Sequence, residues 1–138
     1  MIQLIYLSHA TRPMTQAALI ELLTQARERN LSEEITGLLL YGKGKFLQIL
    51  EGNARSVNAI YECIVKDNRN YGHVLIQIKS IEERRFSRWA MGFRNLSEQP
   101  IDLDLGYIDF FEQDLPEALV LMNHKEIESL LVACKESL

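Results

Sequence analysis

Residues 35–52, I-T-G-L-L-L-Y-G-K-G-K-F-L-Q-I-L-E-G, constrain this chain more than any other stretch. Two apolar runs of strand-forming residues flank Gly42-Lys43-Gly44, which supplies the positive φ that a tight turn needs, so the stretch reads as a β-hairpin. In the second run Phe46, Gln48 and Leu50 share one face, and Leu47, Ile49 and Glu51 the other. Gln48 therefore sits on an apolar face. An amide left unsatisfied there costs about 1–3 kcal/mol, so it must have partners.

A chain of 138 residues can bury one core but not two. Its 47% hydrophobic and 25% charged residues are ordinary for a globular domain. A net charge of −4 and a pI near 5.4 argue against a nucleic-acid or anionic-membrane surface, either of which wants clustered Lys and Arg. No apolar run reaches the length of a membrane span, and the N-terminus enters a strand pattern at once, with no signal-peptide pattern. Cys63 and Cys134 form neither a metal-spaced set nor a disulfide framework, and Cys63 reads as helix packing. A reduced, cytoplasmic protein is expected.

Residues 1–8, M-I-Q-L-I-Y-L-S, are apolar on both faces, as in a central strand, with Leu4, Tyr6 and Ser8 on one side. After Pro13, Thr15 can cap a helix running to about Arg29, with Leu19, Leu22, Leu23 and Ala26 as its stripe. The next position on that stripe is Asn30, which suits a helix C-cap and a ligand contact equally. Beyond the hairpin, Asn53 can cap a second helix with Val57, Ile60, Tyr61 and Ile64 as its core face. Residues 67–72 have the composition of a helix exit. A fourth strand is expected at 73–81 and a fifth at 86–93, the latter with Trp89, Met91 and Phe93 on one face. Residues 95–105 read as a linker. A short aromatic-rich helix (106–112) and an amphipathic helix from His124 follow, the second capped by Asn123 and Glu126, with Ile127, Leu130, Leu131 and Cys134 as its stripe.

The order β-α-β-β-α-β-β is that of an α+β, ferredoxin-like sandwich: a five-stranded sheet, two helices on one face and a C-terminal helical extension. The first and third strands are expected side by side and parallel at its centre. Tyr6 and Gln48 would then be neighbours beneath the helices. With Asn30 they form either a small-ligand site with a few orienting bonds or a self-satisfied pair in a packed core.

Other motifs carry less. Gly37 to Lys43 matches the start of a phosphate-binding loop, but Gly44 stands where Ser or Thr is required, and no helix follows. His9, His73 and His124 lack metal spacing, and no carboxylate pair or nucleophile–base spacing supports hydrolysis. An acylphosphatase-type enzyme would want a glycine-rich anion loop after the first strand, where only Arg12 stands. A colourless ligand-binding or oligomerisation module is the third alternative.

Over residues 1 to about 95 the sequence resembles the BLUF domain, a blue-light sensor that uses flavin adenine dinucleotide (FAD). The motifs are Y-L-S at 6–8, the spacing from Asn30 to Ile35-Thr36-Gly37, F-L-Q-I-L-E-G at 46–52, D-N-R-N at 67–70 and F-S-R-W-A-M at 86–91. The tail, 96–138, resembles that of short stand-alone members with no fused output domain.

The resemblance implies a non-enzymatic photoreceptor with residues 1–95 as sensor and 96–138 as output and assembly region. It implies FAD held non-covalently between the two helices. Leu22 and Ile64 would pack on the ring, Asn30 would bond its pyrimidine edge and Arg69 would lie near the carbonyl or ribityl side. Arg29 and Asn70 occupy positions where relatives often carry Asn or His, and His, respectively. The photoactive set would be Tyr6, Ser8, Gln48, Trp89 and Met91, with Gln48 relaying light-driven electron and proton transfer from Tyr6. The partners implied are further copies of the chain and a downstream signalling protein, of the cyclic-dinucleotide phosphodiesterase or response-regulator type, with no nucleic acid and no membrane.

Overall fold

The computed structural model of the chain describes residues 1–86 and 91–95. Seven elements follow one another: β1 (Ile2–Ala10), α1 (Gln16–Ser32), β2 (Thr36–Gly42), β3 (Lys45–Gly52), α2 (Ala54–Lys66), β4 (Asn70–Ser80) and β5 (Gly92–Asn95). The strands form one sheet in the order β4-β1-β3-β2-β5.

The hairpin forms as its composition dictates. Lys43 (φ 48°) and Gly44 (φ 74°) both take the left-handed region, the two-residue turn whose twist matches that of the flanking strands. Gly37 is fixed for a different reason, since a Cβ there would stand 1.9 Å from the Ile49 carbonyl oxygen on β3.

The expected parallel pairing of β1 and β3 is not what forms. The two are antiparallel, with Tyr6 directly opposite Gln48. The cause is topological. β3 turns back from β2, and β1 and β2 run the same way across the α1 crossover, so a β3 inserted between them opposes both. The convergence of Tyr6 and Gln48 survives because direct register partners always share a face.

Both helices start where their caps are. Thr15 Oγ1 accepts from Ala18 N at 3.1 Å, and Asn53 Oδ1 from Arg55 N at 2.9 Å. α1 runs on past Arg29 to Ser32 and buries Leu19, Leu23, Ala26 and Asn30. α2 buries Val57 and Ile60, with Tyr61 and Ile64 partly buried beside them. Cys63 lies off that stripe and is exposed, so the packing expected of it does not occur.

These helix residues pack on Leu4, Tyr6, Leu39, Tyr41, Phe46 and Leu50 to form the core. Burying each Leu-sized side chain there is worth about 1.5–3 kcal/mol. On the opposite sheet face, Ile5, Leu7, Leu38, Leu40, Leu47 and Ile49 are no more than 2% exposed.

Two strand boundaries differ from expectation. β4 starts at Asn70, inside the expected helix exit, because Asn70 and Tyr71 already pair with Ala10 and His9. β5 is Gly92–Asn95, parallel to β2 with Gly92 opposite Leu38. Phe86 is not in it. The amides of Arg85 and Phe86 are instead taken by the Glu51 carboxylate at 2.8–3.1 Å. Trp89 and the tail, with its two expected helices, lie outside the described residues.

Candidate functional site

Tyr6 of β1 and Gln48 of β3 lie on the helix-facing side of the sheet, and the fold closes a cleft above them. Its volume is about 170 Å³. α1 presents Leu22, Gln25, Ala26 and Arg29, spaced i, i+3, i+4 and i+7, so one helical face forms that wall. Ile64 of α2, the loop residues Asp67 and Arg69, and Asn70 at the start of β4 form the facing wall. Tyr6, Leu39, Phe46 and Gln48 form the sheet side.

At the floor, Tyr6 Oη donates to Gln48 Oε1. Gln48 Nε2 in turn donates to Met91 Sδ at 3.6 Å, a weak acceptor. Both ends of the amide are thus engaged in one chain, phenol to amide to thioether. Tyr6 is 3% exposed, and burial pushes its phenol far above its usual range, the Arg29 charge pulling the other way. Its ring lies 5.1 Å from that of Tyr61 and 5.9 Å from the His73 imidazole.

The loop wall is held by charge. Arg69 forks onto Asp67, Nε to Oδ1 at 3.0 Å and Nη2 to Oδ2 at 2.6 Å, while Nη1 donates to Gln25 Oε1 at 3.0 Å. Those hydrogen bonds from Arg69 hold the Asp67 carboxyl below its usual pKa. Asn70 Nδ2 donates to the carbonyls of Ile64 and Asp67, both at 3.0 Å, and Asn70 Oδ1 meets His73 Nε2. Asn70 thereby ties the end of α2, and with it Ile64, to the cleft.

Of the residues singled out in the sequence, Tyr6, Leu22, Arg29, Gln48, Ile64, Arg69 and Asn70 line this one cleft, and Met91 contacts Gln48. Asn30 is fully buried on α1 but is not among the lining residues. Ser8 is buried too, opposite Phe46, and does not line the cleft. Trp89 lies outside the described residues. Gln25, Leu39 and Asp67 are lining residues that the sequence reading passed over. Two of them had a signal: Gln25 by its helical offset from Leu22, and Leu39 as the hairpin partner of Gln48.

An α+β sandwich with a cleft between its two helices and a phenol–amide pair on its floor defines a small-ligand-binding domain. The family follows from comparison with known proteins. The family model described as sensors of blue-light using FAD, BLUF, matches residues 1–92, and the chain belongs to this family. It is 37% identical over 89 residues to the photoactivated adenylate cyclase subunit beta of Euglena longa, covering 64% of this chain and 10% of that protein. It is 34% identical over 88 residues to the blue light- and temperature-regulated antirepressor BluF of Escherichia coli strain K12, covering 64% and 22%. The chain thus spans a small part of the curated relatives it matches. Among solved structures, the dark state of BlrB, a BLUF protein, superposes with a TM-score of 0.80 at 26% identity, over 99% of this chain and 96% of that one.

The cofactor of the family is FAD, and BLUF domains are light sensors rather than enzymes. The residues present fit that group. Leu22 and Ile64 give apolar walls, Gln48 gives a polar floor, and the Nε of Arg29 is a buried donor with no hydrogen-bond partner among the described residues. A flat heteroaromatic ring bearing acceptor atoms answers all three. Among the described residues no helix is long and apolar enough to cross a membrane.

Proposed function

We propose that Tyr6, Gln48 and Met91 are the switch of this photosensor, and that residues 96–138 carry its state to other proteins. The observation that supports the reading is the continuous hydrogen-bond chain Tyr6–Gln48–Met91 on the cleft floor. Leu22, Arg29, Asn30, Ile64, Arg69 and Asn70 would hold the cofactor. When bound, FAD supplies the blue-light absorption and takes up an electron for the duration of the cycle.

The rest is the work of the chain. Tyr6 gives up one electron, and its phenol, once oxidised, becomes strongly acidic. The proton leaves along the existing bond to Gln48 Oε1. Gln48 carries a donor and an acceptor on one rotatable group, so it can return in a changed orientation or tautomer. Its bond to Met91 Sδ is then exchanged for another. Electron and proton return to Tyr6 at the end, so no product forms.

One exchanged hydrogen bond is worth about 0.5–1.5 kcal/mol, hence roughly a two- to tenfold shift in a two-state equilibrium. That biases a poised contact and unfolds nothing. We assign the contact to the segment around Met91 and Trp89 against residues 96–138, and the readers to further copies of the chain or a signalling protein such as a cyclic-dinucleotide phosphodiesterase. A cytoplasmic site of action suits the exposed free thiol of Cys63. The test is Tyr6→Phe. It should retain FAD and lose the light-induced red shift of the visible bands, and a red shift equal to the parent's would refute the switch.

A further inference from the structure

We propose that Arg29 sets the electron affinity of the bound flavin in this chain, by placing against it the positive charge that the other described cleft residues leave uncompensated. The inference rests on the flavin reading of the site and adds a role for this residue within it.

Among the described residues, three charged side chains line the cleft, Arg29, Asp67 and Arg69. Asp67 and Arg69 cancel in their fork. The Arg29 charge is left over. Its Nε is buried with no hydrogen-bond partner among the described residues, although a buried cationic donor without an acceptor is costly. Burial also lowers the pKa of this guanidinium, the direction expected of a cation held partly out of water. The helix directs the residue inward. Arg29 follows Leu22 by seven positions, on the same side of α1 that Gln25 and Ala26 present to the cleft. A ligand acceptor atom, carbonyl or ring nitrogen, completes what the protein leaves open.

The charge has a consequence that a neutral donor lacks. Reduction of a flavin by two electrons and one proton from an external reductant leaves one negative charge on it. A fixed cation in a cleft of low dielectric favours that charged form over the neutral oxidised one. An Asn at this position could supply the hydrogen bond without the charge. Arg29 is accordingly a positioning residue with an electrostatic effect, and its contribution is read from the reduction potential in the dark.

The experiment is a dye-coupled reductive titration of the FAD-loaded parent, Arg29→Gln, Arg29→Asn and Arg29→Lys, with FAD affinity measured alongside. Arg29→Gln and Arg29→Asn should each shift the preference for reduced over oxidised flavin about tenfold toward the oxidised form, a fall of about 30 mV for a two-electron couple. Arg29→Lys should keep most of it. Retention of FAD by Arg29→Lys with its loss from both neutral variants would make the charge a determinant of cofactor binding instead and overturn the inference. A change of less than twofold in the neutral variants, an equal fall in Arg29→Lys, or loss of FAD from all three would overturn it. A parent chain that takes up no FAD overturns the flavin reading itself.

Discussion

Tyr6 and Gln48 face each other as direct register partners across β1 and β3, and the phenol of the first donates to the amide oxygen of the second. Gln48 is only 4% exposed, so water from the cleft can replace this bond only in part when it is lost. Tyr6→Phe should therefore lower the stability of the flavin-free protein by about 1–3 kcal/mol, the cost of stranding a buried acceptor. Denaturant titration measures it. An unchanged midpoint would mean that Gln48 finds another donor and that the pair is not the constraint described above.

Met91 closes the other end of that chain and is 1% exposed. Met91→Leu conserves volume and should cost less than about 1.5 kcal/mol, while removing the acceptor for Gln48 Nε2. The rate at which the lit state returns to dark should then change about two- to tenfold, the range that one hydrogen bond permits. Recovery at the parental rate would reduce Met91 to a packing residue. Trapping the decay after a blue flash settles it.

Glu51 lies three residues beyond Gln48 on the opposite sheet face and is fully buried. Its carboxylate accepts from Gln3 Nε2 at 3.0 Å and from the amides of Arg85 and Phe86 at 2.8–3.1 Å. Glu51→Ala strands those donors at about 1–3 kcal/mol apiece, a large share of a typical domain's 5–15 kcal/mol. Glu51→Gln, which keeps one acceptor oxygen, should lose much less. Thermal unfolding of the two variants should rank them in that order, and equal losses would contradict the assignment.

Residues 96–138 contain none of the matched flavin motifs, yet they carry the stripe Ile127, Leu130, Leu131 and Cys134 and the cluster Tyr107, Ile108, Phe110 and Phe111. Deleting them should leave the red shift nearly intact while changing oligomeric size or partner response. Size-exclusion with light scattering, dark and lit, compares the two chains. Monomers in both states, with equal partner binding, would leave the tail no part in output.

What the sequence disclosed follows the range of the forces involved. The hairpin, both caps and the alternation that sets Gln48 among apolar neighbours on its strand are local, set by turn chemistry and by periods of 2 and 3.6, and they were readable. Strand direction was not local: β3 opposes β1 only because β2 precedes it in the sheet. The start of β5 was hidden because Glu51, 34 and 35 residues earlier in the chain, takes the amides of Arg85 and Phe86. Helical spacing put Leu22 and Ile64 on the inward stripes of their helices, but their place at the cleft came from the family resemblance. The Asp67–Arg69 fork could not be placed, because a turn gives no periodicity from which to infer a side chain's direction.

The central claim is that Gln48 is the relay through which light changes the hydrogen bonds of the cleft. Light-minus-dark absorption spectra of the FAD-loaded parent and Gln48→Leu test it most directly. Leucine keeps the bulk of the side chain and removes both donor and acceptor. The account predicts equal FAD occupancy, a red-shifted spectrum under blue light in the parent, and no red shift in Gln48→Leu. A variant that photoconverts like the parent would contradict it.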